Sequence, residues 1–84
     1  MEEKLVGKIT HYYGKINVAI VELSAPLKIG DKIHLKGHET DFEQIVSSMQ
    51  IEHQNVDKAK KGDAIGLKVD QKIREDDEVY LVKE

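Results

Sequence analysis

Lys28 to Lys36 reads KIGDKIHLK, and Lys60 to Lys68 reads KKGDAIGLK. Both fit K-x-G-D-x-I-x-L-K, and what that phrase does decides the fold. Glycine accepts positive φ, which a chain leaving a tight turn requires. The short aspartate side chain accepts hydrogen bonds from nearby backbone donors and closes such a turn. The x-I-x-L that follows alternates polar and apolar positions and sets which side of a strand faces the core. Arg74 to Leu81, REDDEVYL, is a degenerate third copy with Asp76 in the glycine position. Aspartate tolerates the left-handed region better than most residues. The phrase is therefore turn chemistry entering a strand, and Asp31 and Asp63 are read as turn-closing carboxylates, without a catalytic or ion-binding role.

Period-two alternation extends outward from these copies. Leu5 to Tyr13 mixes β-branched and aromatic residues, and Gly14-Lys15 offers a two-residue turn. In the next strand Ile16, Val18 and Ile20 share one side while Asn17, Ala19 and Val21 share the other, which predicts a central strand. Pro26 ends that run. Thr40 to Ile51 places Phe42 and Val46 on one face and Ile45, Met49 and Ile51 on the opposite parity. A bend near Ser47-Ser48 is expected there. Asn55 to Lys61 reads as one helical turn, capped by Asn55 or Asp57. Strands from Ala64 to Val69 and from Glu78 to Val82 complete the chain.

With 84 residues and no cysteine, a single domain spanning 1–84 is expected, held by packing and backbone pairing. Thirteen basic against sixteen acidic residues give a net charge of −3, which argues against strong non-specific binding to duplex nucleic acid. No apolar run reaches membrane-spanning length, and Met1-Glu2-Glu3-Lys4 carries no signal-peptide pattern, so no membrane contact and a cytoplasmic location are expected. The expected architecture is all-β: a small closed antiparallel barrel of six or seven strands with one short helical turn.

Four blocks in order carry a family resemblance: GKINVAIVEL, LKIGDKIHLKG, VSSMQIEHQNVDKAKKGDAIGLKV and REDDEVYLV. They resemble domain II of translational GTPases, the β-barrel that follows the G domain in elongation factor Tu. The chain is also similar to stand-alone translation-factor-like barrels and to the barrel at the end of some U32-type peptidases. The first resemblance implies a translation-factor-like binding module that contacts RNA or a ribonucleoprotein. No G-x-x-x-x-G-K-[ST] loop exists, so nucleoside triphosphate binding and hydrolysis are not expected. Gly7, Lys8 and Thr10 stand where the family carries acidic and aromatic residues against the aminoacyl end of tRNA. Gln50 stands where the family has an acidic residue beside the terminal adenine. The alternative is a protein-interaction module, such as the detached accessory barrel of a U32-type peptidase.

Contact with RNA or a partner is expected through Tyr12 and Lys15, which offer stacking beside a cation, through Gln50, and through the basic patch Lys58, Lys60 and Lys61. The alternatives are that Tyr12 or Tyr13 covers the barrel end and that the lysines are a solvated turn. His34 and His38 lie four apart, but Gly37 interrupts their strand and no third ligand has suitable spacing. Exposed histidines, no metal and no cofactor are expected. Glu75-Asp76-Asp77-Glu78 reads as a solvated turn. The serines sit in no nucleophile pattern, so no enzymatic activity is expected.

Overall fold

The structure, a computed structural model, describes residues 2–83, with Glu2 described by its backbone alone. The ends of the expected domain, Met1 and Glu84, lie outside the described residues. Ten strands follow one another: β1 (Glu2–Tyr13), β2 (Val18–Leu23), β3 (Leu27–Lys28), β4 (Lys32–Lys36), β5 (Asp41–Ile45), β6 (Met49–Ile51), β7 (Gln54–Val56), β8 (Lys58–Ala59), β9 (Ala64–Lys68) and β10 (Glu78–Lys83). Eight form one antiparallel sheet in the order β5-β4-β10-β1-β2-β9-β6-β7, and β3 pairs with β8.

The doubled phrase starts strands as expected. Lys28 C=O accepts from Asp31 N–H at 3.2 Å, and Asp31 Oδ2 accepts from Lys28 N–H at 3.0 Å. Lys60 and Asp63 repeat both bonds, each at 3.0 Å. Gly30 and Gly62 take φ of 93° and 92° at the third position of these turns, the requirement of a type II turn. The third copy matches: Asp76 has φ of 73°, and Asp77 Oδ2 accepts from Arg74 N–H at 2.9 Å. The expectation of a fully solvated turn fails at Asp77, which is 4% exposed. Its carboxylate also accepts from the Thr40 hydroxyl and occupies the space that a Cβ on Gly37 would need.

Strand alternation builds the core. Ile33 and Leu35 on β4, Ile65 and Leu67 on β9, and Ala19 and Val21 on β2 all point inward and are fully buried. Val46 and Met49 are both buried although three apart, which locates the expected bend between β5 and β6. Gln44 is buried in the same region. Its amide donates to Lys68 C=O at 2.9 Å and accepts from Asp70 N–H at 2.8 Å, which ties β5 to the end of β9.

Four expectations need correction. Among the described residues there are ten strands, because short pieces pair, such as β3 before the first turn and β8 within the segment expected to be helical. The sheet is not closed, since β5 and β7 end the strand order without pairing to each other. The helical turn over Asn55–Lys61 is absent. Gln54–Val56 instead returns along β6 through a two-residue hairpin in which Glu52 and His53 both have positive φ, as a type I′ turn demands. A single helical turn fixes several dihedrals for little hydrogen bonding, whereas β7 and β8 each gain a paired neighbour. Finally, the β1–β2 turn spans Gly14 to Asn17 rather than two residues, with Asn17 at φ of 55° and Ile16 in the loop. No helix among the described residues is long and apolar enough to cross a membrane.

Candidate functional site

The outward side of the sheet divides into two unlike regions. On one, β2, β9 and β6 lie side by side, with Ile20 opposite Gly66 and Gly66 opposite Gln50. Ile20, Val18 and Ala64 point outward, since their neighbours Ala19, Val21 and Ile65 fill the core. Gly66 contributes no side chain at the centre, so the row dips. Two hairpins wall the dip: the β1–β2 turn with Tyr13 and Ile16, and the β6–β7 turn with Glu52 and His53. Together these residues enclose a concavity of about 480 Å³. Ile16 is 61% and Tyr13 48% exposed, so a substantial apolar surface faces solvent. Its polar groups are Gln50, whose Nε2 donates to Asn55 Oδ1 at 3.0 Å, the Tyr13 hydroxyl, and Glu52 and His53 on the rim. Such a surface offers apolar contact and shape at its floor, with Glu52 and His53 supplying polar groups at one rim.

On the other region, β1, β10, β4 and β5 carry charge. His34 on β4 lies opposite Tyr80 on β10 and Glu43 on β5. Its Nδ1 meets Glu3 Oε2 at 2.8 Å, and its Nε2 meets Asp41 Oδ1. Lys36 reaches Glu3 at 3.4 Å and lies 5.3 Å from the centre of the Tyr80 ring, and Lys32 reaches Glu43 at 3.4 Å. Burial alone pushes the His34 imidazole toward its neutral form, but the bonds to Glu3 and Asp41 outweigh it and raise the pKa above the ordinary value. The bond to His34 holds the Glu3 carboxyl below the usual range. Tyr80 is raised, chiefly by its hydroxyl bond to Glu78.

The structure scatters the residues expected to make contact. Gln50 lies in the apolar concavity. Tyr12 is half-buried against the core opposite Ala19, so it closes the interior, and Tyr13 is the outward neighbour. Lys15 is exposed in the β1–β2 turn. Lys58 and Lys60 line a separate recess with Pro26, Ala59 and Asp63, and Lys61 is exposed in the turn that follows. Stacking residue and basic patch are therefore not brought together. The expectation of exposed histidines fails at His34, whose side chain is 13% exposed. Sequence reading missed Tyr13, Ile16, Val18, Ile20 and Gly66 as a surface. The signal was the apolar character of both parities in INVAIV, which predicts a central strand; β2 does lie between β1 and β9, but one of its apolar sides faces outward.

No protein-family model matches the chain. An uncharacterised protease of Methanocaldococcus jannaschii is 46% identical over 80 residues, covering 94% of this chain and 20% of the relative. A collagenase of Porphyromonas gingivalis is 37% identical over 81 residues, covering 94% of this chain and 22% of the relative. The chain thus spans about a fifth of the length of the curated relatives it matches. Among solved structures, the C-terminal domain of a Geobacillus thermoleovorans protein assigned as a U32 peptidase superposes with a TM-score of 0.89 at 18% identity, covering 95% of this chain and 93% of that one. That likeness establishes the fold.

These matches overturn the translation-factor reading. One of its motif blocks covers the β1–β2 turn and β2, and the other three contain the turns that launch β4, β9 and β10; such features encode strand starts shared by architecture, not a partner. The expected RNA or ribosomal contact loses its basis with it. The expectation of no enzymatic activity is contradicted as well, since the sequence relatives are named protease and collagenase, and the alternative of an accessory domain of a U32-type peptidase fits better.

Proposed function

We propose that this domain is the accessory domain of a U32-type peptidase and that it docks on the rest of the enzyme through the apolar concavity of β2, β9 and β6. The observation that carries the reading is the 46% identity, over nearly the whole chain, to one fifth of a protease. The other four fifths of such a relative offer this domain a covalently linked surface to pack against. An exposed apolar surface built around Tyr13, Ile16 and Ile20 supplies the area that such contacts use. The opposite charged region has its groups engaged with one another and offers less unsatisfied surface.

The test is a replacement in the Porphyromonas gingivalis collagenase, whose matching segment is exchanged for this chain. Gelatin hydrolysis by the exchanged enzyme is expected to exceed that of the enzyme lacking the segment by about tenfold or more, the effect of about 1.4 kcal/mol of restored interaction. An exchanged enzyme that folds, by circular dichroism, but behaves like the segment-deleted one would overturn the reading.

A further inference from the structure

We propose that the charged region is a binding site for a divalent transition-metal ion, with Nδ1 of His34 and the carboxylates of Glu3 and Glu43 as ligands and Asp41 as the carboxylate that orients the imidazole. The three ligand groups come from three different strands, β1, β4 and β5, whose positions one sheet fixes. One ligand atom from each lies within 4.8 Å of the others. Metal–ligand bonds of about 2.0–2.2 Å place ligand atoms closer together than this, so the side chains must close around the ion.

The arrangement around His34 separates this cluster from an ordinary acidic surface. Nδ1 faces Glu3, and the opposite nitrogen, Nε2, faces Asp41. Metal-binding histidines characteristically donate their second ring N–H to a carboxylate, which fixes the tautomer and raises the basicity of the ligating nitrogen. Asp41 stands in that position. The ring is half-buried, and its strand neighbours are Tyr80 on β10 and Glu43 on β5. One imidazole with carboxylates, and no thiolate, suits Zn²⁺, Mn²⁺, Fe²⁺ or Ni²⁺ and gives calcium too few oxygens. Three protein ligands leave the remaining positions to water or to a ligand.

Protons and lysines compete with the ion. Glu3 from β1, Asp41 and Glu43 from β5, Glu78 and Tyr80 from β10, and Lys32 and Lys36 from β4 are the titratable or charged groups on this face. The ion must displace a proton from Nδ1 and release Lys32 from Glu43 and Lys36 from Glu3. Both lysine side chains are more than a third exposed and can swing into water. Affinity therefore rises with pH as the imidazole loses its proton.

Calorimetric titration of the metal-free chain with ZnCl₂ at pH 7.5 and 5.5 tests the site, with Co²⁺ absorption reporting geometry. One ion per chain is expected at pH 7.5, with affinity at least about tenfold weaker at pH 5.5. His34→Gln and Glu3→Gln should each weaken binding by about tenfold or more, and Asp41→Asn by about 10–100-fold through the oriented tautomer. His11→Gln, His38→Gln and His53→Gln should leave it unchanged. Circular dichroism at each pH shows whether a variant is folded, and Glu43→Gln serves as the alternative ligand variant if His34→Gln is not. No binding at millimolar Zn²⁺, or binding that survives loss of the ligands but not of another histidine, overturns the proposal.

Discussion

Strands β2 and β4 obey the same alternation and send apolar residues inward, yet most of their outward residues are opposites, with Glu22 at the end of β2 the exception. Strand β4 shows Lys32, His34 and Lys36 to the outside, and each meets a carboxylate. Strand β2 shows Val18 and Ile20, and what lies across from Ile20 is a glycine. A charged outer face can satisfy itself within one molecule, because side chains on neighbouring strands neutralise each other at hydrogen-bond distance. An apolar outer face has no such recourse, and its exposed area is relieved only by another surface. On that difference rest the two roles proposed for the halves of the sheet, contact for the apolar one and ion binding for the charged one.

The comparison breaks most visibly if inward and outward positions prove energetically alike. Leu67→Ala, which empties a fully buried site on β9, should cost about 2–5 kcal/mol in urea unfolding. Ile16→Ser, on the exposed side of the same region, should stay within about 0.5 kcal/mol of the parent. Equal losses would mean that the apolar surface is part of the core.

A finer probe fills the concavity without disturbing the strand. A Cβ added at Gly66 would lie 3.5 Å from Val18 Cγ1 and 3.9 Å from Ile20 Cδ1, ordinary contact distances. Gly66→Ala should therefore stabilise the isolated chain by about 0.4–1 kcal/mol through the unfolded state. In the exchanged collagenase the same change should lower activity if the dip receives a partner side chain. Unchanged activity would place the contact elsewhere.

The smallest effect lies on the charged side and depends on pH. His34 is raised in the fold, so its contribution is present below the ordinary histidine value of 6.5 and is lost as pH climbs through the higher folded value. Glu3 is lowered, so its contribution is present above the ordinary carboxyl value of 4.5 and is lost as pH falls through the lower folded value. With a chelator present, the difference in Tm between the parent and His34→Ala should be widest between about pH 4.5 and 6.5 and shrink on both sides. A difference independent of pH would show that His34 acts only by packing.

Much of this architecture was legible because it is local. Lys28 to Asp31 and Lys60 to Asp63 carry their turn chemistry in four consecutive residues, and even the degenerate Asp76-Asp77 pair behaves as its type predicts. What was not legible depends on which strands become neighbours. Nothing near His34 in the chain announces Glu3, which belongs to β1 and reaches His34 past the intervening strand β10. The hairpin of β6 and β7 was hidden because Glu52 and His53 are unusual residues for two successive positive-φ positions. The apolar concavity was half legible. Val18 and Ile20 were visible as apolar residues on one side of a strand, but only the pairing of β2 with β9 shows that side to be outward and, with Gly66 opposite Ile20, makes it a hollow. The functional family was misread for a related reason, since strand-starting turns recur wherever this architecture does.

Two tyrosines provide the most direct test of the central claim, that the apolar half of the sheet is the face turned toward a peptidase. Tyr13 borders the concavity, and Tyr80 lies among the charges around His34. Hydroxyl-radical footprinting would compare the free chain with the same chain installed in the Porphyromonas gingivalis collagenase. Tyr13 and Ile16 should lose most of their labelling in the larger protein while Tyr80 keeps its own. Undiminished labelling of Tyr13, or protection of Tyr80 in its place, would contradict the account.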